Sequence, residues 1–228
     1  MSELARFPNK IVEANGHLHW DVSRLLAEIH SGMRLYAKKH GEPASIGIDT
    51  WGIDFGLMRR DGGLVDLPYT YRNKRTEGAA ESFLTKMSRE RLYELTGIQI
   101  LPFNTVFQLF SMVIDRDEKL LSASDLLMMA DLFNYYLTGA MASEYTLAST
   151  SSLYNPLDMR WESEIIDTLR ISSDLFQDIA QPGTVLGELN RETQERRVWA
   201  ECPSPPSLAT TRAQPSLPSQ QKQTTSHT

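Results

Sequence analysis

At 228 residues, with 41% apolar and 23% charged side chains, the chain can form one large domain around a sizeable core. A net charge of −6 without a basic stripe speaks against a nucleic-acid partner, and no apolar run approaches the roughly 18 residues of a membrane span. One cysteine, Cys202, excludes an internal disulfide framework and any multi-cysteine metal site. Residues 1–6 lack the apolar core of a secretory signal, so a soluble, cytoplasmic protein is expected.

The first strong pattern is helical. Asp21 is a good N-cap, and Val22, Leu25, Leu26, Ile29 and Met33 recur at helical spacing up to about His40, where Gly41-Glu42-Pro43 stops the helix. Next comes Ser45-Ile46-Gly47-Ile48-Asp49-Thr50-Trp51-Gly52-Ile53-Asp54-Phe55-Gly56-Leu57-Met58. Its apolar alternation on both sides of a polar bend predicts a pair of short strands. Asp61-Gly62-Gly63 is a hairpin signal, with a return strand over 64–67. Helices are predicted over 77–86, after the cap Ser88 up to Thr96-Gly97, over 105–115, from the cap Asp131 to Thr138-Gly139, and over 161–170. Leu126-Leu127-Met128-Met129 is a buried strand or helical turn, and 185–189 is a last strand. From Pro203 to Thr228, 19 of 26 residues are Pro, Ser, Thr or Gln, too few apolar groups to offset the entropy of ordering.

Phosphate-loop and nucleophile-elbow signatures are absent. His17 and His19 alternate as on a strand face, but no carboxylate or cysteine joins them at a ligand spacing, which favours a surface or satisfied core role over zinc. The bend at 49–54 carries two carboxylates, a hydroxyl, an indole and a glycine, a mix that suits a small polar molecule such as a sugar. Asp49 and Asp54 serve as an acid–base pair or as turn hydrogen bonders, and Trp51 as a stacking platform or as core. Asn104 and Thr105 are read as N-capping, and Arg72 and Arg75 as solvated.

The segment 45–55 resembles the rhamnulokinases, a branch of the FGGY carbohydrate kinases. Further motifs follow the same order: Arg6-Phe7-Pro8-Asn9, Gly16-His17-Leu18-His19-Trp20-Asp21, Tyr71-Arg72-Asn73-Lys74-Arg75-Thr76, Thr96-Gly97-Ile98-Gln99, Leu101-Pro102-Phe103-Asn104-Thr105, Gln108-Leu109, Tyr136-Leu137-Thr138-Gly139 and Glu144-Tyr145-Thr146. The resemblance spans about 5–195. It implies an α/β, actin-like (ribonuclease H-like) ATPase-type fold, of which residues 5–195 are the first, sugar-binding domain. It also implies ATP-dependent phosphorylation, with Mg2+, of L-rhamnulose to L-rhamnulose 1-phosphate in rhamnose catabolism. Other readings are a kinase for another ketose, such as fuculose or xylulose, and a non-catalytic sugar-binding or regulatory module. Gly52 matches the sugar-contacting glycine of the family's T-W-G motif. Trp51 and Asp54 flank it as further substrate-binding candidates, and the partner is a small ketose.

Two family features have no match here: the opening D-x-G-x-x-S-x-R hairpin and the H-D-T motif with the proton-accepting aspartate. The domain is therefore expected to be incomplete, with no catalytic, nucleotide or metal residue of its own, and to transfer no phosphate alone. A one-nucleotide shift near Glu195 makes the tail's codons compatible with the family's continuation into H-D-T. Residues 196–228 are accordingly expected to be a disordered, out-of-frame tail.

Overall fold

In the computed structural model, which describes residues 3–193 and the backbone of 207–210, helices and strands mix throughout. The chain opens with the antiparallel pair β1 (Ile11–Ala14) and β2 (His17–Trp20), then α1 (Val22–His40). Asp21 caps α1 as its sequence position predicts, its carboxylate accepting from Arg24 N at 3.0 Å. β3 (Ser45–Ile48) and β4 (Phe55–Met58) follow, then α2 (Ala79–Leu84), α3 (Arg89–Thr96), α4 (Thr105–Ile114), α5 (Glu118–Leu121), β5 (Asp125–Met128) and α6 (Met129–Thr138). The remaining elements are β6 (Ser143–Glu144), α7 (Tyr145–Ser149), β7 (Tyr154–Asn155), β8 (Arg160–Trp161), α8 (Ser163–Leu169), β9 (Ile179–Ala180), β10 (Val185–Glu188), α9 (Arg191–Thr193) and β11 (Ser207–Thr210).

β3 and β4 both form, but not as partners. β4 pairs antiparallel with β5, while β3 pairs in parallel with β11, which pairs antiparallel with β10. The bend at 49–54 thus carries the chain from one sheet to another. β4 and β5 are buried on both faces. Phe55, Leu57, Leu126 and Met128 pack with Phe83, Phe107 and Phe110 on one side, while Met58, Leu127 and Met129 pack with Trp20, Leu25, Leu132 and Phe133 on the other. Double-sided burial explains why 126–129 is a continuous apolar run. Gly56 is packed tightly against α6: a Cβ there would lie 2.9 Å from Cδ2 of Leu132.

Several expectations need correction. The return strand over 64–67 reduces to a bridge between Met58 and Leu64, because the Leu67 amide turns to its neighbour's side chain, Oδ1 of Asp66 at 2.7 Å. Trp161 belongs to β8, and the helix begins two residues later at Ser163. Asp131 does not cap α6 but lies buried in its first turn, accepting from the Glu144 amide at 3.1 Å. Within residues 196–228 the backbone of Ser207–Thr210 is described, as β11 between β3 and β10, where it satisfies backbone groups that those strands would otherwise leave open. The remainder of 196–228 lies outside the described residues.

Candidate functional site

The bend between β3 and β4 is built around a strained residue. Ile53 has φ +69°, a left-handed conformation rare for a β-branched side chain. The Asp54 amide donates to Gly52 O at 2.9 Å, closing a three-residue turn. Both polar groups of Ile53 are held from outside. Its amide donates to Oγ1 of Thr150 at 3.1 Å, and its carbonyl accepts from Oγ1 of Thr105 at 2.7 Å. Such strain persists where the surroundings over-determine it, and here two distant threonines do so.

Asp54 is the hub of the site. It is fully buried, and its Oδ2 accepts from Nε1 of Trp20 at 2.7 Å, from Nε1 of Trp51 at 3.0 Å and from the Tyr71 amide at 3.2 Å. Its Oδ1 accepts from Nε2 of Gln108 at 3.0 Å. Burial pushes the Asp54 carboxyl above its ordinary range, and the bonds from Gln108, Trp20, Trp51 and Tyr71 oppose that rise. Asp54 is therefore an internal anchor without a surface for a ligand, which corrects its expected role as a sugar contact. Asp49 is exposed, so the two carboxylates do not form an acid–base pair.

The bend reaches the surface through Trp51 and Gly52, both partly exposed. Trp51 packs against Trp20 with ring centroids 4.4 Å apart and 48° between planes. It also lines an open groove with Asp49, Thr50, Asn9, Phe7, Leu25 and Phe133 among its walls. Its lining combines aromatic and aliphatic surface with a carboxylate, an amide and a hydroxyl. Such a mixture of groups can hold both the C–H face and the hydroxyls of a sugar. Gly52 adjoins the groove without lining it. A Cβ on Gly52 would stand 2.6 Å from Oγ1 of Thr150, so packing alone already demands glycine there.

Arg75 and the Asn104–Thr105 pair differ from their sequence reading. Arg75 is half-buried rather than solvated, with Nη1 donating to Gln108 O at 2.8 Å and to Oγ of Ser111 at 2.6 Å, and its guanidinium 4.3 Å from the Tyr69 ring centre. Burial lowers its pKa to about 10. Thr105 holds Ile53, and Nδ2 of Asn104 donates to Gln99 O at 2.8 Å and to Oγ of Ser152 at 2.7 Å, so neither side chain caps α4. The histidines are satisfied locally, His19 Nδ1 lying 3.0 Å from Leu67 O and His17 Nδ1 3.3 Å from Oδ1 of Asn73. Thr150, Trp20 and Tyr71 were not legible as site residues. Thr150 lies 97 positions from its partner with no local pattern to mark it.

Residues 4–200 match the model of the FGGY family of carbohydrate kinases, N-terminal domain. The chain belongs to the FGGY family of carbohydrate kinases. Over 195 residues it is 41% identical to a rhamnulokinase of Bacteroides thetaiotaomicron, covering 86% of this chain and 40% of that protein. Over 189 residues it is 41% identical to a rhamnulokinase of Enterococcus faecalis, covering 83% and 38%. The fold of this FGGY domain is similar to that of a ligand-bound xylulose kinase from Lactobacillus acidophilus (TM-score 0.78, 17% identity, covering 88% of this chain and 41% of that one). The chain thus spans about two fifths of the length of the curated relatives it matches. Among the described residues no helix is long and apolar enough to cross a membrane, and no group of three or more His, Cys, Asp or Glu is placed to hold a metal ion.

Proposed function

We propose that this chain is the sugar-binding domain of a kinase that phosphorylates L-rhamnulose at its 1-hydroxyl, with ATP as donor and magnesium as the metal. One observation carries the reading: the partly exposed Trp51–Gly52 edge of a strained, doubly pinned turn, beside a groove lined by both aromatic and polar side chains. The choice of L-rhamnulose rests on the named relatives, both rhamnulokinases at 41% identity.

In this reading the indole face of Trp51 receives the apolar side of the ketose, while Asn9, Asp49 and Thr50 take its hydroxyls. Gly52 keeps the backbone bare so that the ligand can approach the turn. Phosphoryl transfer between bound substrates depends mainly on positioning and charge stabilisation, and the described residues contribute the positioning of the sugar. They do not fit an ATP–magnesium site, having neither a phosphate loop nor a metal-holding carboxylate group, so no step of the transfer is assigned to them.

The test is calorimetric titration of the chain with L-rhamnulose, L-fuculose and D-xylulose. The expected result is saturable one-site binding, tightest for L-rhamnulose. Equal affinity for the three ketoses would remove the rhamnulose assignment.

A further inference from the structure

Gln108 joins a half-buried cation to a buried anion that do not touch. Its Oε1 accepts from Nη2 of Arg75 at 2.9 Å, and its Nε2 donates to Oδ1 of Asp54 at 3.0 Å. Among the described residues Arg75 forms no ion pair: its other bonds go to a carbonyl and a hydroxyl, and its Nε is buried without a partner. Asp54 has no cation against it either, and its Oδ2 faces the two indole N–H groups and the Tyr71 amide. The line Arg75, Gln108, Asp54, Trp51 therefore has a direction. If the Gln108 amide turned over, its NH2 would face the guanidinium and its oxygen the carboxylate, both repulsive. The amide carries the favourable field of Arg75 to Asp54 without bringing the two side chains together.

Of this line only Trp51 reaches the groove. Its single polar atom is committed to Asp54, and its ring rests on Trp20, which Asp54 also holds. One carboxylate oxygen thus sets the angle between two indoles.

We infer that Arg75, Gln108 and Asp54 are positioning residues that fix the Trp51 ring plane presented to the sugar. The functional half of this inference rests on the proposed sugar site, whereas the structural half does not need it.

The experiment uses the full 228-residue chain and two readouts. Near-UV circular dichroism reports the coupling of the Trp20–Trp51 pair without any ligand, and titration with L-rhamnulose reports the site. In Asp54→Asn the new amide nitrogen must oppose either Gln108 or the indoles. The coupled tryptophan signal should fall and sugar affinity should weaken about tenfold, the worth of one charged hydrogen bond. Gln108→Glu alone sets two carboxylates against each other and should behave likewise. Asp54→Asn combined with Gln108→Glu restores the pairings along the line from Arg75 to the indoles with the charge moved one position, while Phe103 O and Ile53 O lose the bonds they accept from Nε2 of Gln108 at 3.0 and 3.3 Å. The new carboxylate accepts from Arg75 and from the new amide, whose oxygen receives both indoles. The signal and the affinity should both recover in part, lying closer to wild type than in either single variant, because Arg75 and the two indoles again have their acceptors.

An unchanged tryptophan signal in Asp54→Asn, or a double variant no closer to wild type than the single ones, overturns the inference. If the position 54 variants do not fold, Trp51→Phe decides the functional half, since it removes the held N–H while keeping an aromatic ring. L-rhamnulose binding as tight as wild type in that variant would overturn it. If wild type shows the coupled signal but binds no L-rhamnulose, the proposed function fails while the circular dichroism series still decides the positioning.

Discussion

Gly52 and Thr150 are packed so closely that a methyl group on the glycine would stand 2.6 Å from the threonine hydroxyl oxygen. That hydroxyl also holds the Ile53 amide and donates to Leu147 O at 2.8 Å, so it cannot step aside without releasing the strained turn. Gly52→Ala should destabilise the chain by about 1–3 kcal/mol, the usual cost of overpacking, read by urea denaturation. Adding Thr150→Ala removes the nearest atoms and should return part of that stability. Sugar affinity should not return with it if Gly52 also leaves room for the ligand. Full recovery of both would make packing the whole reason for the glycine.

A second expected outcome concerns pH. Burial pushes the Asp131 carboxyl well above its ordinary value of 3.8, and the neighbouring Glu144 charge adds to the rise. The folded state then holds a proton that the unfolded chain releases. Stability is greatest at pH values below 3.8 as far as this group is concerned, and falls as pH climbs from there towards the folded value. Asp131→Asn keeps the acceptor for the Glu144 amide and replaces an oxygen that has no partner. At pH 7 the variant should be more stable than wild type, because it has no carboxylate to ionise in a buried site beside the Glu144 charge. The difference should shrink towards pH 4. Parallel stability curves for the two proteins would contradict this assignment.

The contrast between Asp21 and Asp54 shows what sequence alone could reveal. Asp21 acts on an amide three residues away, and a helical pattern follows it at once, so its cap was legible. Trp51 and Gly52 were legible as a polar bend between apolar runs. Asp54 was legible as part of that bend but not as its anchor, because its partners Trp20, Tyr71 and Gln108 lie 34, 17 and 54 positions away. Arg75 was misjudged for the same reason: its acceptors on Gln108 and Ser111 lie 33 and 36 positions away. β3 and β4 were found as strands, but which strands they pair with depends on β5, β10 and β11, far along the chain.

β11 supplies a third expected outcome. Its backbone lies between β3 and β10, with Leu208 paired to Ile46 and Thr210 to Ile48. A chain ending at residue 193 should expose the amides of Ser45–Ile48 to solvent. Their hydrogen exchange should speed up by at least about tenfold, while Phe55–Met58, paired with β5, should keep its protection. Equal exchange at β3 in both chains would show that β11 contributes nothing to holding it.

The central claim is that the Trp51–Gly52 edge of this FGGY domain receives a ketose. Calorimetric titration of the 228-residue chain with L-rhamnulose, beside its Trp51→Ala variant, tests it most directly. Saturable one-site binding is expected in the wild type, with a loss of about tenfold or more in affinity in the variant, as when an aromatic contact face is removed. A flat titration of a folded wild-type chain, or equal affinity in the two proteins, would contradict it.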